Sequence, residues 1–384
     1  MSIGNVLDNT KMYRLPYSKN DNPNGWIEVT TLCNMKCPGC YKGIDRGEIT
    51  AIHEPLEKIK TDILELKRIR NCGIITISGG EALMHPDIEQ IVGFVKAQKL
   101  KSFILTNGIL IKETTVQKLK KAGLTGFIVS INMNNRPEFD EETKLHAIRN
   151  EIADLIHRVG GLQLGFTCVI TGGNLMQMPD LVRWFQTNSR KVDYLVLVLK
   201  REFCFEENQV PNNVDNVSVE YLAQTLKEAL PEMVFSSYLG AQNENVDFKW
   251  VQCAWISLNG KVLGYADTKM VEMSTMMNHL KYGNYSYVTN NGRNLLPFSH
   301  LIGGSFILQS MRHVFGQYIL AVLKSPLNLF KKANNQVINI VNPPSGTPET
   351  RDICDACPDA VLYEGKLQPS CILESMKQMQ KKQQ

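Results

Sequence analysis

Several features are scarce or missing in this 384-residue chain, and each absence excludes something. Charge of one sign is scarce: 42 Lys and Arg stand against 38 Asp and Glu, a net +4. That is too mild to argue for nucleic acid, and no nucleic-acid partner is expected. The start, MSIGNVLDNTKMYRL, lacks a basic stretch followed by an apolar run. No signal peptide is therefore expected, and the expected setting is the cytoplasm. A long unbroken hydrophobic run is also missing. Leu295 to Met311 carries no Lys, Arg, Asp or Glu, but Pro297, Ser299, His300, Gly303, Gly304, Ser305 and Gln309 dilute it. A spanning helix needs about 20 mostly apolar residues, which argues against a transmembrane segment. There is no internal repeat.

Cysteine, by contrast, is plentiful at ten residues. Without a secretory signal, metal or redox chemistry is the stronger reading and disulfides the weaker. Between residues 26 and 200 two periods alternate. β-rich runs occur at Trp26–Thr31, Gly73–Ser78, Ser102–Thr106, Gly126–Ile131, Leu162–Ile170 and Asp193–Leu199. Helical patterns lie between them. In Pro55–Arg70, Leu56, Ile59, Ile63, Leu66 and Ile69 recur at spacings of three and four. His85–Gln98, Ile111–Ala122, Glu141–Val159 and Met178–Ser189 behave similarly. Such alternation reads as βαβ units on a parallel sheet. Six units predict a partial (β/α)6 TIM-like barrel, because a complete eight-unit barrel would take about 250 residues. The expected organisation is an N-terminal extension (1–22), the barrel core (23–205), a linker with one more helix (206–250), and a smaller irregular metal-binding domain (251–384).

Cys33, Cys37 and Cys40 stand in CNMKCPGC, directly after the first strand, where a βα loop sits at the active end of a barrel. Three thiolates on one loop can cap three irons of a cubane and leave the fourth iron open. A zinc knuckle or three unrelated buried cysteines are the plainer alternatives, but zinc wants a fourth ligand close by and the nearest histidine, His53, is well past the loop. The run resembles the signature of the radical S-adenosylmethionine superfamily. ISGGEAL at Ile77–Leu83, after the second strand, supports the likeness. The resemblance implies a [4Fe–4S] cluster on Cys33, Cys37 and Cys40, with S-adenosylmethionine as cofactor. It makes Gly79, Gly80 and Glu81 the element that binds the methionine amine: glycines admit a close approach, and a carboxylate suits an ammonium. Asn107, at the end of the third strand, becomes a candidate beside the ribose. Ser130 and Asn132, at the end of the fourth, are candidates for ribose or carboxylate contacts. Taken alone, Asn107-Gly108 is foremost a turn signal. One departure stands out: Gly39 occupies the place where the family often has an aromatic residue, and Tyr41 follows the cluster instead. The likeness covers roughly Trp26 to Leu199 and names no catalytic side chain.

A second set, Cys354, Cys357 and Cys371, has the spacing of a metal tetrahedron or an iron–sulfur corner. Cys253 is the leading candidate for a fourth ligand and Cys204 the second. A second [4Fe–4S] cluster is expected, with structural zinc as the alternative. Cys72 and Cys168 read as core residues. This C-terminal segment is similar to that of the tetraether-lipid-synthase-like branch of the superfamily, which makes a lipid one candidate substrate. A peptide-modifying maturase and a non-enzymatic iron–sulfur scaffold or sensor are the alternatives. A low-potential donor such as ferredoxin or flavodoxin is the implied redox partner. The apolar stretch Leu295–Phe330 reads either as core helices covering the open barrel, or as a substrate tunnel or interfacial helix in peripheral contact with a membrane.

Overall fold

The computed structural model describes residues 6–45, 47, 50–201, 217–240, 248–287, 295–296, 298–343, 356–374 and 376–377. The expected linker at 206–216, together with Cys204 and Cys354, lies outside the described residues. After a short strand, β1 (Tyr13–Arg14), come β2 (Asn24–Glu28), α1 (Leu56–Arg70), β3 (Ile74–Ser78), α2 (Ile88–Ala97), β4 (Lys101–Thr106) and α3 (Glu113–Ala122). Then follow β5 (Gly126–Ser130), α4 (His146–Val159), β6 (Gln163–Ile170), α5 (Met178–Thr187) and β7 (Tyr194–Leu199). The second half runs α6 (Val219–Ala229), β8 (Phe235–Gly240), β9 (Phe248–Leu258), β10 (Lys261–Tyr265), α7 (Thr268–Tyr282), β11 (Leu295–Leu296), α8 (Phe298–Ile307), α9 (Gln309–Lys324), β12 (Ala333–Val341) and the hairpin β13 (Ala360–Tyr363)–β14 (Lys366–Pro369).

Strands β2 to β7 pair in order and in parallel. This is the expected six-unit array. The first strand differs at its end: past Glu28 the chain turns toward His53, and Thr31 donates to the Ile52 carbonyl. Strand faces alternate. Ile75, Ile77, Ile104, Phe127, Val129, Leu164 and Phe166 meet the helices in the main core. Ile74, Phe103 and Tyr194 face the other way and enclose Tyr287. Ile59, Ile63, Leu66 and Arg70 form the buried stripe of α1.

Beyond β7 the sheet continues. β12 adds in parallel to β7, β9 pairs antiparallel to β12, and β8 pairs antiparallel to β9. The boundary expected at 250/251 thus falls inside β9, and the later strands extend the barrel's own sheet. α8 and α9 pack on β10 and the end of β9 through Leu301, Met311, Val314 and Tyr318, leaving many of their other apolar residues exposed. Among the described residues no helix is long and apolar enough to cross a membrane.

One buried ion pair fixes the loop after β5. Glu142 and Arg149 are both fully buried and 2.5 Å apart. Arg149 also donates to the Ile131 and Glu142 carbonyls. Glu142 accepts from the Met133 N–H, the Asn174 amide and the Cys168 thiol. The helix expected from Glu141 accordingly opens as a 3-10 turn, Glu142–Leu145, before α4. Breaking such a pair strands a buried charge, at about 3–5 kcal/mol. Arg149→Met should lower unfolding stability by that amount in denaturant titrations, while Lys144→Met, at an exposed pair, should change it by less than about 1 kcal/mol.

Candidate active site

The cysteine loop springs from the C-terminal end of β2. Cys40 N–H donates to the Cys37 carbonyl at 3.2 Å and Gly43 N–H to the Cys40 carbonyl at 2.8 Å, which winds the backbone from Cys37 to Gly43, with Cys33 close to Cys37. Gly39 adopts φ +67°, a left-handed turn that glycine takes without strain. The missing aromatic residue at this position therefore has a local backbone reason. The Cys33 sulfur accepts from Met35 N–H at 3.4 Å and faces Asn107 Nδ2 at 3.9 Å. Burial, with Cys40 and Cys33 close by, pushes the Cys37 thiol up to about 11. Burial raises Cys33 as well, with Glu81 and Cys40 adding to it. Among the described residues no three Cys, His, Asp or Glu converge tightly on one ion. Thiolates that each cap a different iron of a cubane stand farther apart than ligands of one metal. The donor set, three half-buried sulfurs on one loop with N–H groups aimed at one of them, fits a cluster.

Gly79 and Gly80 lie against that loop. A Cβ on Gly79 would stand 2.3 Å from the Thr30 carbonyl oxygen, and one on Gly80 would stand 2.2 Å from that of Leu32. Gly80 N–H donates to Thr30 O at 2.8 Å and Glu81 N–H to Leu32 O at 2.7 Å. The glycines thus admit the backbone that leads into Cys33. Glu81 is fully buried. Its carboxylate accepts from Leu83 N–H at 3.0 Å, from Asn107 N–H at 2.7 Å and from Thr106. Burial still pushes its carboxyl above the usual range, against the lowering by those donors. A carboxylate offers about four lone-pair positions, so three bonds leave one for an incoming ammonium.

Asn107 bridges to the cysteine loop: its amide donates to Asn34 Oδ1 at 2.7 Å. Ser130 and Asn132 are brought close but face each other and Asn135. Asn135 Nδ2 donates to the Ser130 carbonyl at 2.8 Å, and Asn132 N–H donates to Asn135 Oδ1 at 3.0 Å. Arg136, which no motif indicated, ties the group together. Its guanidinium donates to the Asn107 carbonyl at 3.0 Å and the Asn135 carbonyl at 2.9 Å, and it lies 3.1 Å from the Met35 sulfur. A cavity of about 300 Å³ opens here, lined by Met35, Cys37, Ile109, Asn135 and Arg136 among others.

The second cysteine set sits at the opposite end of β2. Asn22 and Asn24 side chains donate to the Ala356 and Pro358 carbonyls, and Arg70 Nη2 donates to the Cys357 carbonyl at 2.8 Å. Cys357 is buried, and burial pushes its thiol up to about 12, with Lys249 pulling it down and Asp359 and Cys371 adding to the rise. Arg70 is fully buried, and among the described residues its Nε and Nη1 have no hydrogen-bond partner. Lys249, also buried, lies beside Cys357 and Asp359. Cys253 is not brought to this set. It is enclosed on β9 opposite Phe235 and Ile338, near Val234, Lys227 and Tyr265. Cys72 and Cys168 are buried in the core, as expected.

Tyr41 and Lys42 lie between the two sets. The Tyr41 hydroxyl bonds to Ser78, and burial beside Glu28, Cys40 and Cys371 holds it well above the usual tyrosine range. Lys42 pairs with Glu28 and, at 3.7 Å, with Glu374.

Gly80→Ala should displace the Leu32 backbone, since a carbonyl cannot yield as a flexible side chain does. Iron content per chain and the thermal midpoint should both fall. Gly93→Ala, in α2 with nothing within 4 Å of the added carbon, should leave iron content unchanged and stabilise the helix by up to about 1 kcal/mol.

Residues 27–185 match the model of the Radical SAM superfamily. A probable GTP 3′,8-cyclase of Methanococcus maripaludis strain S2 is 29% identical over 202 residues, 50% of this chain and 64% of that protein. The corresponding protein of strain C5 is 36% identical over 202 residues, 50% of this chain and 63% of that protein. The matches thus span under two thirds of these relatives' length. Among solved structures, Streptococcus suis SuiB bound to S-adenosylmethionine is 19% identical, with a TM-score of 0.43 over 56% of this chain and 48% of that one, a likeness too loose to argue from. The cysteine loop, the Gly-Gly-Glu element and strands β3 to β6 lie inside the stretch that is similar to the Radical SAM superfamily.

Proposed function

We propose that this enzyme cleaves S-adenosylmethionine reductively at a [4Fe–4S] cluster held by Cys33, Cys37 and Cys40. The observation that carries the reading is the loop itself: three neighbouring cysteines past the C-terminal end of β2, on a chain whose entry, Thr30–Leu32, is packed backbone-to-backbone on Gly79-Gly80. When bound, the cluster supplies the electron that splits the sulfonium into methionine and a 5′-deoxyadenosyl radical, which takes hydrogen from an unactivated C–H bond. The chain's own residues have narrower tasks. Glu81 holds the ends of β3 and β4 together and keeps one acceptor position toward the methionine ammonium. Asn107 aims its amide at the cysteine loop. Arg136 closes the mouth from the β5 side and presents positive charge near Cys37. A low-potential donor such as ferredoxin or flavodoxin is the proposed source of the electron.

The second centre is proposed on Cys357, Cys371 and Cys354, as an iron–sulfur cluster with zinc the alternative. Its support is Arg70, buried with one N–H on the Cys357 carbonyl and with Nε and Nη1 unbonded among the described residues. A buried guanidinium suits an anionic thiolate centre. A lipid substrate is the finer proposal, and its support is the exposed apolar surface of α9.

Anaerobically reconstituted protein should form 5′-deoxyadenosine from S-adenosylmethionine and a strong reductant, and replacing Cys33, Cys37 or Cys40 by Ala should abolish it. Full activity in the triple variant would overturn the assignment. Wild-type protein should bind about eight irons and the triple variant about four. Four irons and one zinc in the wild type would make the second centre structural.

A further inference from the structure

The end of α9 is apolar on both sides. Met311, Val314 and Tyr318 are buried against β9 and β10. On the other side Ile319, Leu320 and Leu323 are exposed, and the 3-10 turn that follows, Pro326–Phe330, exposes Leu327, Leu329 and Phe330. The degree is unusual: Leu323 is 74% exposed, Leu327 69% and Phe330 83%. The turn is not loose. Asn328 Nδ2 donates to the Ala321 carbonyl at 2.8 Å, Asn259 donates to Asn328 Oδ1 at 2.9 Å, and Tyr318 Oη donates to the Asn328 carbonyl at 3.4 Å. The three large side chains are therefore held outward by a folded backbone. A helix apolar all round normally has both sides covered, and exposed apolar clusters mark docking surfaces.

Charge identifies what covers this one. Between Met273 and Pro348 the sequence has no Asp or Glu, but it has Lys281, Arg293, Arg312, Lys324, Lys331 and Lys332. The rest of the chain carries a net −2. Lys324, Lys331 and Lys332 flank the exposed leucines and Phe330 directly in sequence. Two copies meeting through this surface would set these cations against each other, whereas an anionic lipid surface would neutralise them. We propose that the end of α9 and the turn 326–330 form a peripheral docking site for an anionic membrane surface. Leu320, Leu323, Leu327, Leu329 and Phe330 enter the boundary between headgroups and acyl chains, and Lys324, Lys331 and Lys332 lie at the headgroups. α9 has 16 residues, so it lies on the bilayer and does not cross it. The proposal is independent of the radical chemistry and holds for any substrate.

Flotation of the reconstituted full chain with phosphatidylcholine vesicles, with and without phosphatidylglycerol, tests it. Wild-type protein should float with the anionic vesicles and much less with the neutral ones, and added salt should release it. Leu323→Glu/Phe330→Glu should lose flotation, and Lys331→Ala and Lys332→Ala should each weaken binding about fivefold on anionic vesicles only. All four positions are exposed or lie outside the site, so iron content and 5′-deoxyadenosine formation should stay at wild-type levels, which separates failure of docking from failure of the radical reading. Wild-type protein that stays unbound, or a Leu323→Glu/Phe330→Glu variant that floats as well as wild type, would overturn the proposal. So would a concentration-dependent dimer in light scattering that the same double substitution abolishes, without any vesicle binding.

Discussion

The carbonyl oxygens of Thr30 and Leu32 occupy the space that side chains on Gly79 and Gly80 would need, and the rest of the site hangs on that contact. Two parallel strands end side by side, and the loop from the first is pinned to the turn of the second by Gly80 N–H to Thr30 O and Glu81 N–H to Leu32 O. With no Cβ between them the backbones close fully, and Cys33 follows at once. Glu81 then reaches sideways to Asn107 N–H at the end of β4, and Asn107 reaches back to Asn34 in the cysteine loop. Three consecutive strand ends form a closed ring of hydrogen bonds around the first cysteine. Arg136 extends it to the β5 loop through the Asn107 carbonyl, and that loop is fixed by the buried Glu142–Arg149 pair.

This arrangement explains which parts were legible in the sequence. The six strands and their helices were readable because β-rich runs and helical periods alternate from Trp26 to Leu199, and each falls within a few residues of an observed element. The cysteine loop and Gly79-Gly80-Glu81 were readable as motifs, but their physical roles were not. Sequence suggested that the glycines admit a ligand, whereas the structure fills their vacancy with protein backbone. Ser130 and Asn132 are close to the site but bond mainly to Asn135. Arg136 was invisible, because its partners are two main-chain carbonyls and a thioether, contacts that leave no spacing rule.

The second half was harder to read for a different reason. β8, β9 and β12 carry strand-like composition, but the order in which they join the sheet is non-sequential, and β12 reaches β7 from far along the chain. Composition alone gave an irregular domain beginning at 251, where the structure has the middle of β9. Cys253 illustrates the cost: its apolar neighbours, Val251, Trp255 and Ile256, marked a buried strand as strongly as its thiol suggested a ligand, and it packs in the core.

β2 lies between the two cysteine sets. One begins past its C-terminal end, and the segment around Cys357 is bonded to Asn22 and Asn24 at its start. Tyr41 links the two. It follows Cys40 directly, yet its environment includes Cys371, and its hydroxyl bonds to Ser78 on the neighbouring strand. Lys42, next in sequence, is buried against Glu28 and Glu374, which draws the C-terminal turn onto the same face. The exit of the cysteine loop is thereby packed against the segment that carries Cys371.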